Sequence, residues 1–270
     1  SVTTPQGFTA GGSPCGIKRK RLDLGWLYSN TPANAAAVYT LNQFQAAPLQ
    51  VTKESLAVEK KIQGLIVNSG VANACTGKQG LADAYEMRKN FSKVLCVEEH
   101  LVAVASTGLI GSHLPMEKIN AGMDGIFHEK NGGASNFEKA ILTTDTINKN
   151  IAIELEIDGK KVSIGGAAKG SGMINPNMAT MLSFITTDAN IKSDSLSKAL
   201  KDVTNRTFNM ITVDGDCSTN DMVLVLANGQ AENIELSEEH PDWQKFLAAF
   251  EFVCQTLAMK IARDGEGATK

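Results

Sequence analysis

The sequence predicts a layered α+β fold. Short runs of apolar and β-branched residues at 65–67, 101–105 and 222–227 have the composition of buried strands. They alternate with longer segments whose apolar residues recur at helical spacing. A hairpin pattern at 151–164 adds antiparallel pairing, because Asp158-Gly159 between alternating apolar residues is a strong turn signal. Hairpins mixed with long helices favour stacked layers over a doubly wound parallel sheet.

In chain order, the first predicted strand, 65–67, is followed by a predicted helix near 78–93, and the second strand, 101–105, ends just before Thr107-Gly108. After the hairpin, a helix is predicted at 193–207, because its leucines and valine fall on one face. The longest amphipathic helix is predicted at 243–261 and stops at an Asp-Gly pair, a common helix end.

The overall composition argues against several classes of function. With 270 residues, 43% hydrophobic and 20% charged, the chain is an ordinary globular sequence of one large or two average domains. A net charge of −3 and a pI near 5.9 give no reason to expect nucleic acid or an anionic membrane as partner. The basic run at 18–21 is interpreted as a solvated turn. No apolar stretch approaches the length of a membrane span, and the first residues lack the charged-then-apolar pattern of a signal sequence, so secretion is not expected.

Cysteine and histidine usage favours reduced, metal-free chemistry. The five cysteines are an odd number without a Cys-x-x-Cys pair, so we expect neither a disulfide framework nor a zinc site. Buried thiols are typical of a cytosolic protein, and we expect a cytoplasmic location. The four histidines lie beside no obvious nucleophile, which argues against a Ser-His-Asp or Cys-His enzyme. Asp214, Asp216 and Asp221 lack calcium-loop spacing and are interpreted as turn and capping residues.

The most informative segment is 169–181, which runs from a lysine through a glycine-rich, proline-broken stretch to Ala179-Thr180. The following residues, 181–187, have the composition of a buried strand. A self-cleaving protein would place its nucleophile at such a junction. Cleavage of the Ala179–Thr180 bond would give Thr180 a free α-amine, which can act as the base that a threonine hydroxyl needs. On the local residues alone, an ordinary loop-to-strand junction is the commoner structure.

Further short blocks accompany this segment along the whole chain. They lie at 2–8, 66–70, 72–77, 105–108, 143–145, 212–216, 218–221 and 264–269. Together with 169–183, these blocks resemble, in kind and in order, the ornithine acetyltransferase family, also called glutamate N-acetyltransferase. One glycine-rich loop would be weak support, whereas this many ordered blocks is a specific signal.

The resemblance implies a four-layer αββα sandwich and a self-cleaving enzyme of arginine biosynthesis. It divides the chain into an alpha segment, 1–179, and the beginning of a beta segment, 180–270. The family continues past Lys270, so the C-terminal part is expected to be missing here. The implied assembly is a heterotetramer of two alpha and two beta fragments.

The implied reaction moves the acetyl group of N2-acetyl-L-ornithine to L-glutamate through an acetyl-threonine intermediate. Its products are ornithine and N-acetylglutamate. Some members of the family also take the acetyl group from acetyl-coenzyme A, and the residues of this chain do not decide whether it does so. Neither a cofactor nor a metal is expected.

Thr107 and Gly108, at the end of a predicted strand, are candidates for the oxyanion hole. A hydroxyl and a backbone N–H can stabilise the tetrahedral intermediates, and glycine lets the backbone approach a substrate closely. A plain strand-ending turn is the alternative, which the residues alone favour. The resemblance favours the oxyanion role.

The resemblance also implies how the substrate is bound. The ammonium of Lys169 is expected to pair with the substrate α-carboxylate, and a hydroxyl of Thr143 or Thr144 to donate to the same group, with Thr143 preferred. Glu266 is expected to bind the side-chain amine of ornithine. For Glu266 a solvated position after the last helix is the alternative, and local sequence favours it.

Two other functions stay open. An aminopeptidase of a related self-processing fold would use the same nucleophile with water as the acceptor. An uncleaved chain that binds amino acids without turnover would keep the Ala179–Thr180 bond intact.

Overall fold

The computed structural model describes residues 1–128, 131–172, 181–211 and 218–265. Within these residues the strands are β1 (Phe8–Ser13), β2 (Leu24–Tyr39), β3 (Lys61–Val71), β4 (Val102–Leu109), β5 (Lys149–Ile157), β6 (Lys160–Lys169), β7 (Leu182–Thr187) and β8 (Met222–Ala227). The helices are α1 (Ala47–Glu59), α2 (Gly77–Leu95), α3 (Met116–Asp124), α4 (Ala134–Ala140), α5 (Ser193–Arg206) and α6 (Trp243–Arg263).

The long strand β2 joins two halves of the sheet. The strand order is β4-β3-β2-β8-β7-β6-β5, with β1 paired to the start of β2. The register of β2 shifts between Tyr28 and Ala33, and only its last part, from Asn34 to Tyr39, pairs with β8. We call β1, β3, β4 and the start of β2 the first half-sheet, and β5 to β8 with the end of β2 the second half-sheet. Pairing is parallel at β3/β4 and β7/β8 and antiparallel elsewhere along this path.

The two half-sheets face each other. In the sheet order, β6 lies five strand positions from β4. At the usual spacing between strands, this corresponds to about 24 Å along the sheet. Nevertheless, Lys169 at the end of β6 donates a hydrogen bond from Nζ to Oγ1 of Thr107 in β4, at 3.3 Å. This contact requires the sheet to fold back on itself. An apolar cluster that includes Ala105 of β4 and Phe184 of β7 fills the space between the half-sheets.

Helices cover the outer faces. Alternate residues of a strand point to opposite faces, and Val223 and Val225 of β8 pack with α5 and α6 in a second cluster. Ile66 of β3, with Val102 and Val104 of β4, packs against α2 and α3 in a third. The order of layers is therefore helices, half-sheet, half-sheet, helices, which confirms the αββα sandwich.

Helix α1 covers the free edge of β4. Thr52 Oγ1 donates to the carbonyl of Val104 and accepts from its N–H, both at 2.8 Å, and Ser55 Oγ donates to the carbonyl of Val102 at 2.8 Å. An uncovered edge would leave these backbone groups unpaired. The helix therefore holds in place the strand that carries Thr107.

The structure confirms the helices predicted near 78–93, at 193–207 and at 243–261, and the hairpin, whose turn places Asp158 and Gly159 at positive φ. The sequence does not predict β1 or β2, because their glycines and alanines carry little β propensity. It also does not predict α1, α3 and α4. Among the described residues, no helix has both the length and the apolar character that crossing a membrane requires.

Candidate active site

The ends of β4 and β6 bring together two of the predicted site residues. Thr107 and Lys169 are 5% and 3% exposed, so their hydrogen bond lies in a largely water-excluded place. Because the Lys169 ammonium donates to Thr107 Oγ1, the hydroxyl proton of Thr107 is left available to donate elsewhere. The pair thus combines a positive charge with an oriented hydroxyl donor.

Gly108 is a glycine for two structural reasons. Its φ of +133° lies in a region that L side chains rarely adopt. A Cβ there would lie 2.2 Å from the carbonyl carbon of Gly70, at the end of the neighbouring strand β3. Gly108 belongs to β4 rather than to a turn after it, and it is solvent-exposed, so a ligand can approach its backbone.

Asp145 organises the loop beside Lys169. Its Oδ1 accepts hydrogen bonds from Lys149 Nζ at 2.7 Å and from the N–H of Gly170 at 2.6 Å, and its Oδ2 accepts from the N–H of Thr143 at 3.1 Å. Burial raises the pKa of Asp145, but Lys169 and Lys149 outweigh this effect and hold it below its ordinary value. Asp145 is therefore an anion that ties the 143–146 loop to the end of β6.

Thr143 and Thr144 line one wall of a cavity of about 720 Å³. Thr143 is half-buried, whereas Thr144 is exposed and its Oγ1 lies 2.7 Å from Oγ of Ser171. The geometry brings both threonines beside the segment that carries Lys169 and does not choose between them. The remaining lining residues are Lys20, Arg21, Leu22, Lys139, Leu142, Asp145 and Thr146.

Lys149 links this loop to the end of α6. Its Nζ also pairs with Oδ2 of Asp264 at 2.5 Å, and both partners are almost fully buried. Asp264 accepts from the N–H of Thr146 at 3.0 Å. Burial raises the pKa of Asp264, but its hydrogen bonds to Lys149 and Thr146 keep it below the ordinary value. Glu266, two residues further along, lies outside the described residues.

The predicted nucleophile, Thr180, and Ala179 also lie outside the described residues, but the strand after them is described. All six residues of β7 are buried, which confirms the predicted buried strand. The N–H of Met181 donates to Oδ1 of Asp221 at 3.0 Å, and its carbonyl accepts from the N–H of Met222 at 3.2 Å. Met181, the first described residue after the predicted cleavage position, is thus held by both of its backbone polar groups.

The interpretation of Asp221 as a turn or capping residue misses this contact. Asp221 is 1% exposed at the entrance to β8. Burial raises its pKa well above the ordinary value, against the opposing hydrogen bonds of Met181 and Ser218. Nothing in the local sequence distinguishes Asp221 from Asp214 and Asp216, which lie outside the described residues. Across the part of the chain that the structure describes, no cluster of His, Cys, Asp and Glu could hold a metal ion.

Comparison with known proteins gives a consistent result. A family model described as "ArgJ family" matches residues 9–270. The arginine biosynthesis bifunctional protein ArgJ of Oceanobacillus iheyensis is 62% identical over 269 residues, which is all of this chain and 66% of that protein. The protein of the same name from Bacillus subtilis is 58% identical, with the same coverage. The chain therefore spans just under two thirds of the length of these relatives.

Solved structures agree. The arginine biosynthesis bifunctional protein from Bacillus halodurans is 55% identical, with a TM-score of 0.63, over 66% of this chain and 94% of the solved chain. Ornithine acetyltransferase from Mycobacterium tuberculosis, complexed with ornithine, is 37% identical, with a TM-score of 0.59, over 65% of this chain and 94% of that one. An L-aminopeptidase from Ochrobactrum anthropi, described as a variant of the Ntn hydrolase fold, is 11% identical with a TM-score of 0.57, over 98% of this chain and 86% of its own, and shares the fold alone.

Proposed function

Because this chain belongs to the ArgJ family, we propose that it is part of a self-cleaving acetyltransferase that moves the acetyl group of N2-acetyl-L-ornithine to L-glutamate. The products are ornithine and N-acetylglutamate, and we place the reaction in the cytoplasm. The observation that carries the proposal is the buried contact of Lys169 with Thr107, beside the strand that continues from Thr180. It provides a cation and a hydroxyl donor where an acyl transfer needs both.

In the first stage, the hydroxyl oxygen of Thr180 attacks the carbonyl carbon of Ala179. The bond from that carbon to the Thr180 nitrogen breaks as the ester forms, and the nitrogen takes up the hydroxyl proton. Water then hydrolyses the ester, which leaves a carboxylate on Ala179 and a free α-amine on Thr180. The products are an alpha fragment, 1–179, and a beta fragment that begins at Thr180.

In the second stage, the new α-amine takes the hydroxyl proton of Thr180, directly or through one water, as the oxygen attacks the acetyl carbon of N2-acetyl-L-ornithine. Ornithine leaves after its nitrogen takes up a proton, and the acetyl group stays on Thr180. The amine of glutamate then attacks this ester. Since one product leaves before the second substrate reacts, the kinetics are ping-pong.

The other site residues stabilise the charge of the reaction intermediates and hold the substrate in position. Thr107 Oγ1 and the N–H of Gly108 donate to the oxyanion of each tetrahedral intermediate. Lys169 pairs with the α-carboxylate of the substrate, helped by a hydroxyl of Thr143 or Thr144. Glu266 binds the side-chain amine of ornithine.

The lengths of the matches support cleavage. The match to the Bacillus halodurans structure covers 66% of this chain and 94% of the solved chain, and residues 1–179 also make up 66% of the 270 residues. That solved chain is therefore about as long as an alpha fragment and much shorter than the curated relatives. A division of the chain into an alpha and a beta fragment agrees with these lengths, and the mature enzyme is proposed to contain two of each.

Acetyl-coenzyme A is proposed as a further donor on the basis of the cavity beside Thr143. Three exposed basic residues, Lys20, Arg21 and Lys139, lie at its rim, and these suit the phosphates of such a donor. In the Lys20→Ala/Arg21→Ala double variant, KM for acetyl-coenzyme A should rise at least several-fold, while KM for N-acetyl-ornithine stays unchanged. Equal values of KM for acetyl-coenzyme A in both proteins would remove the rim from donor binding.

The decisive test of the proposed function is the mass of the purified whole protein under denaturing conditions, before and after adding N-acetyl-ornithine. We expect two fragments divided at Ala179–Thr180, with the fragment that starts at Thr180 gaining one acetyl group. Thr180→Ala should stay uncut and inactive but folded. A single chain that gains no mass would instead favour the non-catalytic alternative.

The aminopeptidase alternative differs in its acceptor. With N-acetyl-ornithine and glutamate both present, the proposed enzyme forms N-acetylglutamate, whereas a hydrolase releases acetate. Release of acetate or of peptide-derived amino acids without N-acetylglutamate would replace the proposed function by hydrolysis.

A further inference from the structure

Asn220 is a buried residue that holds the first half-sheet. It is 6% exposed, and its Nδ2 donates to the carbonyl of Ser106 at 2.9 Å and to the carbonyl of Ala72 at 2.6 Å. Both hydrogens of the side-chain amide are therefore used. Ser106 is the residue directly before Thr107, and Ala72 follows the end of β3, where Gly70 lies against Gly108.

Asp221, the next residue, holds the second half-sheet. Its Oδ1 accepts the N–H of Met181 at 3.0 Å, and its own carbonyl accepts the N–H of Thr40 at 3.0 Å. Met181 is the residue directly after Thr180. Each of the two contacts is therefore made to a residue that is the chain neighbour of a group in the proposed reaction. Consecutive Cα atoms are only about 3.8 Å apart.

The two anchored strands are far apart along the sheet. β4 and β7 are separated by β3, β2 and β8, and they approach only because the half-sheets face each other. Their separation at the site is therefore set by side chains that bridge the interface. Asn220 and Asp221 are adjacent in the chain, so one short, rigid piece of backbone connects the two strands.

We propose that Asn220 and Asp221 form a positioning clamp that sets the distance between the Thr180 nucleophile and the Thr107–Gly108 oxyanion donors. The clamp rests on the proposed function and adds to it two residues that touch neither substrate nor reacting atoms. A misplacement of about 1 Å between reacting groups can slow catalysis by roughly a hundredfold. The clamp should therefore act on the rate of reaction more than on substrate affinity.

The environment of Asp221 fits a positioning role. Burial raises the pKa of Asp221 well above its ordinary value, which favours the protonated form, and its Oδ1 accepts the Met181 N–H. An asparagine has the same shape, is neutral and keeps the accepting oxygen. Asp221→Asn should therefore preserve the clamp, whereas Asp221→Ala removes it.

The experiment uses the whole protein and four variants: Asn220→Ala, Asp221→Ala, Asp221→Asn and the control Asn228→Ala. Asn228 follows the other end of β8, and its Nδ2 also donates to a backbone carbonyl, that of Gln6, at 2.8 Å. Three quantities are measured: the half-time of chain cleavage, kcat and KM of acetyl transfer by the cleaved fraction, and the thermal unfolding midpoint. The rate of acetyl transfer is normalised to the amount of acetylated beta fragment, so unfolded protein does not count.

We expect Asn220→Ala and Asp221→Ala to slow cleavage and lower kcat by about 10- to 100-fold, with KM for N-acetyl-ornithine changed less than about twofold. Asp221→Asn and Asn228→Ala should stay within about threefold of wild type. If the alanine variants do not fold, Asn220→Gln, whose longer side chain displaces β4, should show the same loss of kcat.

Normalised rates in Asn220→Ala and Asp221→Ala that match Asn228→Ala would overturn the clamp, since both residues would then act on stability alone. Asp221→Asn as slow as Asp221→Ala would also overturn it, because the carboxyl group itself would be required. A wild-type protein that neither cleaves nor transfers acetyl would overturn the proposed function, a result distinct from either of these.

Discussion

Asp145 and Asp221 are two buried carboxyl groups that both interact electrostatically with Lys169. Their pKa values are shifted in opposite directions. The pKa of Asp145 is held below its ordinary value, whereas that of Asp221 is raised well above it. Asp145 contacts a second cation, Lys149, and accepts two backbone N–H bonds. Asp221 forms no ion pair with any residue that the structure describes, so the cost of burial dominates.

The comparison shows that burial alone does not decide the charge of a carboxylate. The charge depends on the balance between desolvation and a contacting cation. This balance can give two neighbouring carboxyl groups very different pKa values. The anionic side, around Asp145, orders the loop that is proposed to bind the substrate carboxylate. On the other side, burial favours the neutral form of Asp221, whose Oδ1 holds the N–H of Met181 at the start of β7.

The largest expected effect comes from removing the cation beside Asp145. Lys149→Met removes the buried cation that Asp145 and Asp264 share, and we expect it to lower the free energy of unfolding by about 3–5 kcal/mol. Denaturant titration measures this loss. The exposed Lys161, paired with Glu154, is the control, and Lys161→Ala should cost less than about 1 kcal/mol. Equal losses in the two variants would contradict the central role of Lys149.

The cation shared by both sides is next. Lys169→Ala removes a charged donor, and we expect KM for N-acetyl-ornithine to rise by roughly 10- to 100-fold, with a smaller change in kcat. Lys160→Ala, an exposed lysine at the opposite end of β6, is the matched control. An apparent affinity equal to that of the control would place Lys169 outside the substrate site.

The pH dependence of the unfolding free energy distinguishes the contribution of Asp145 from that of Asp221. Because the folded-state pKa of Asp145 is lowered from 3.8, its contribution is present above that pH and is lost as pH falls through the folded value. Because the pKa of Asp221 is raised from 3.8, the folded state binds the extra proton, and its contribution is lost as pH rises toward the folded value.

Unfolding free energies measured between about pH 3 and pH 8 test both signs. Asp145→Asn should weaken the loss of stability in acid, and Asp221→Asn should weaken the decline on the alkaline side of 3.8. The same pH profile in both variants would show that the two carboxylates share one environment.

The smallest expected effect lies at the rim of the anionic side. Thr146 donates its hydroxyl and its N–H to Asp264. Thr146→Val removes only the hydroxyl, so we expect a loss of about 1 kcal/mol in unfolding free energy. A larger loss, comparable with that of Lys149→Met, would mean that Asp264 depends on Thr146 more than on Lys149.

Part of the fold can be predicted from the sequence because some elements have a characteristic local pattern of residues. The alternating residues around Asp158-Gly159 specify a hairpin, and the apolar stripe of 243–261 specifies a helix. β2 carries no such pattern, since residues such as Ala35 and Ala36 gain strand structure only by pairing with β8. Its register shift between Tyr28 and Ala33 and its pairing with β8 both depend on partners distant in sequence.

The candidate site divides in the same way. Thr107, Gly108, Lys169 and the segment up to Thr180 stand out in the sequence because glycine, lysine and threonine follow directly on apolar runs. Asn220 and Asp221 do not, since an Asn-Asp pair is typical of ordinary turns. Their role depends on which backbone groups face them.

By itself, the sequence determined the family, the hairpin, the three long amphipathic elements and the residue types of the proposed chemistry, because these depend on local order. Only the tertiary structure decided that β4 and β6 meet, that the pKa of Asp145 is lowered while that of Asp221 is raised, and that Asn220 and Asp221 join the two half-sheets. Contacts, desolvation and charge depend on distances between residues far apart in the chain, and folding alone sets those distances.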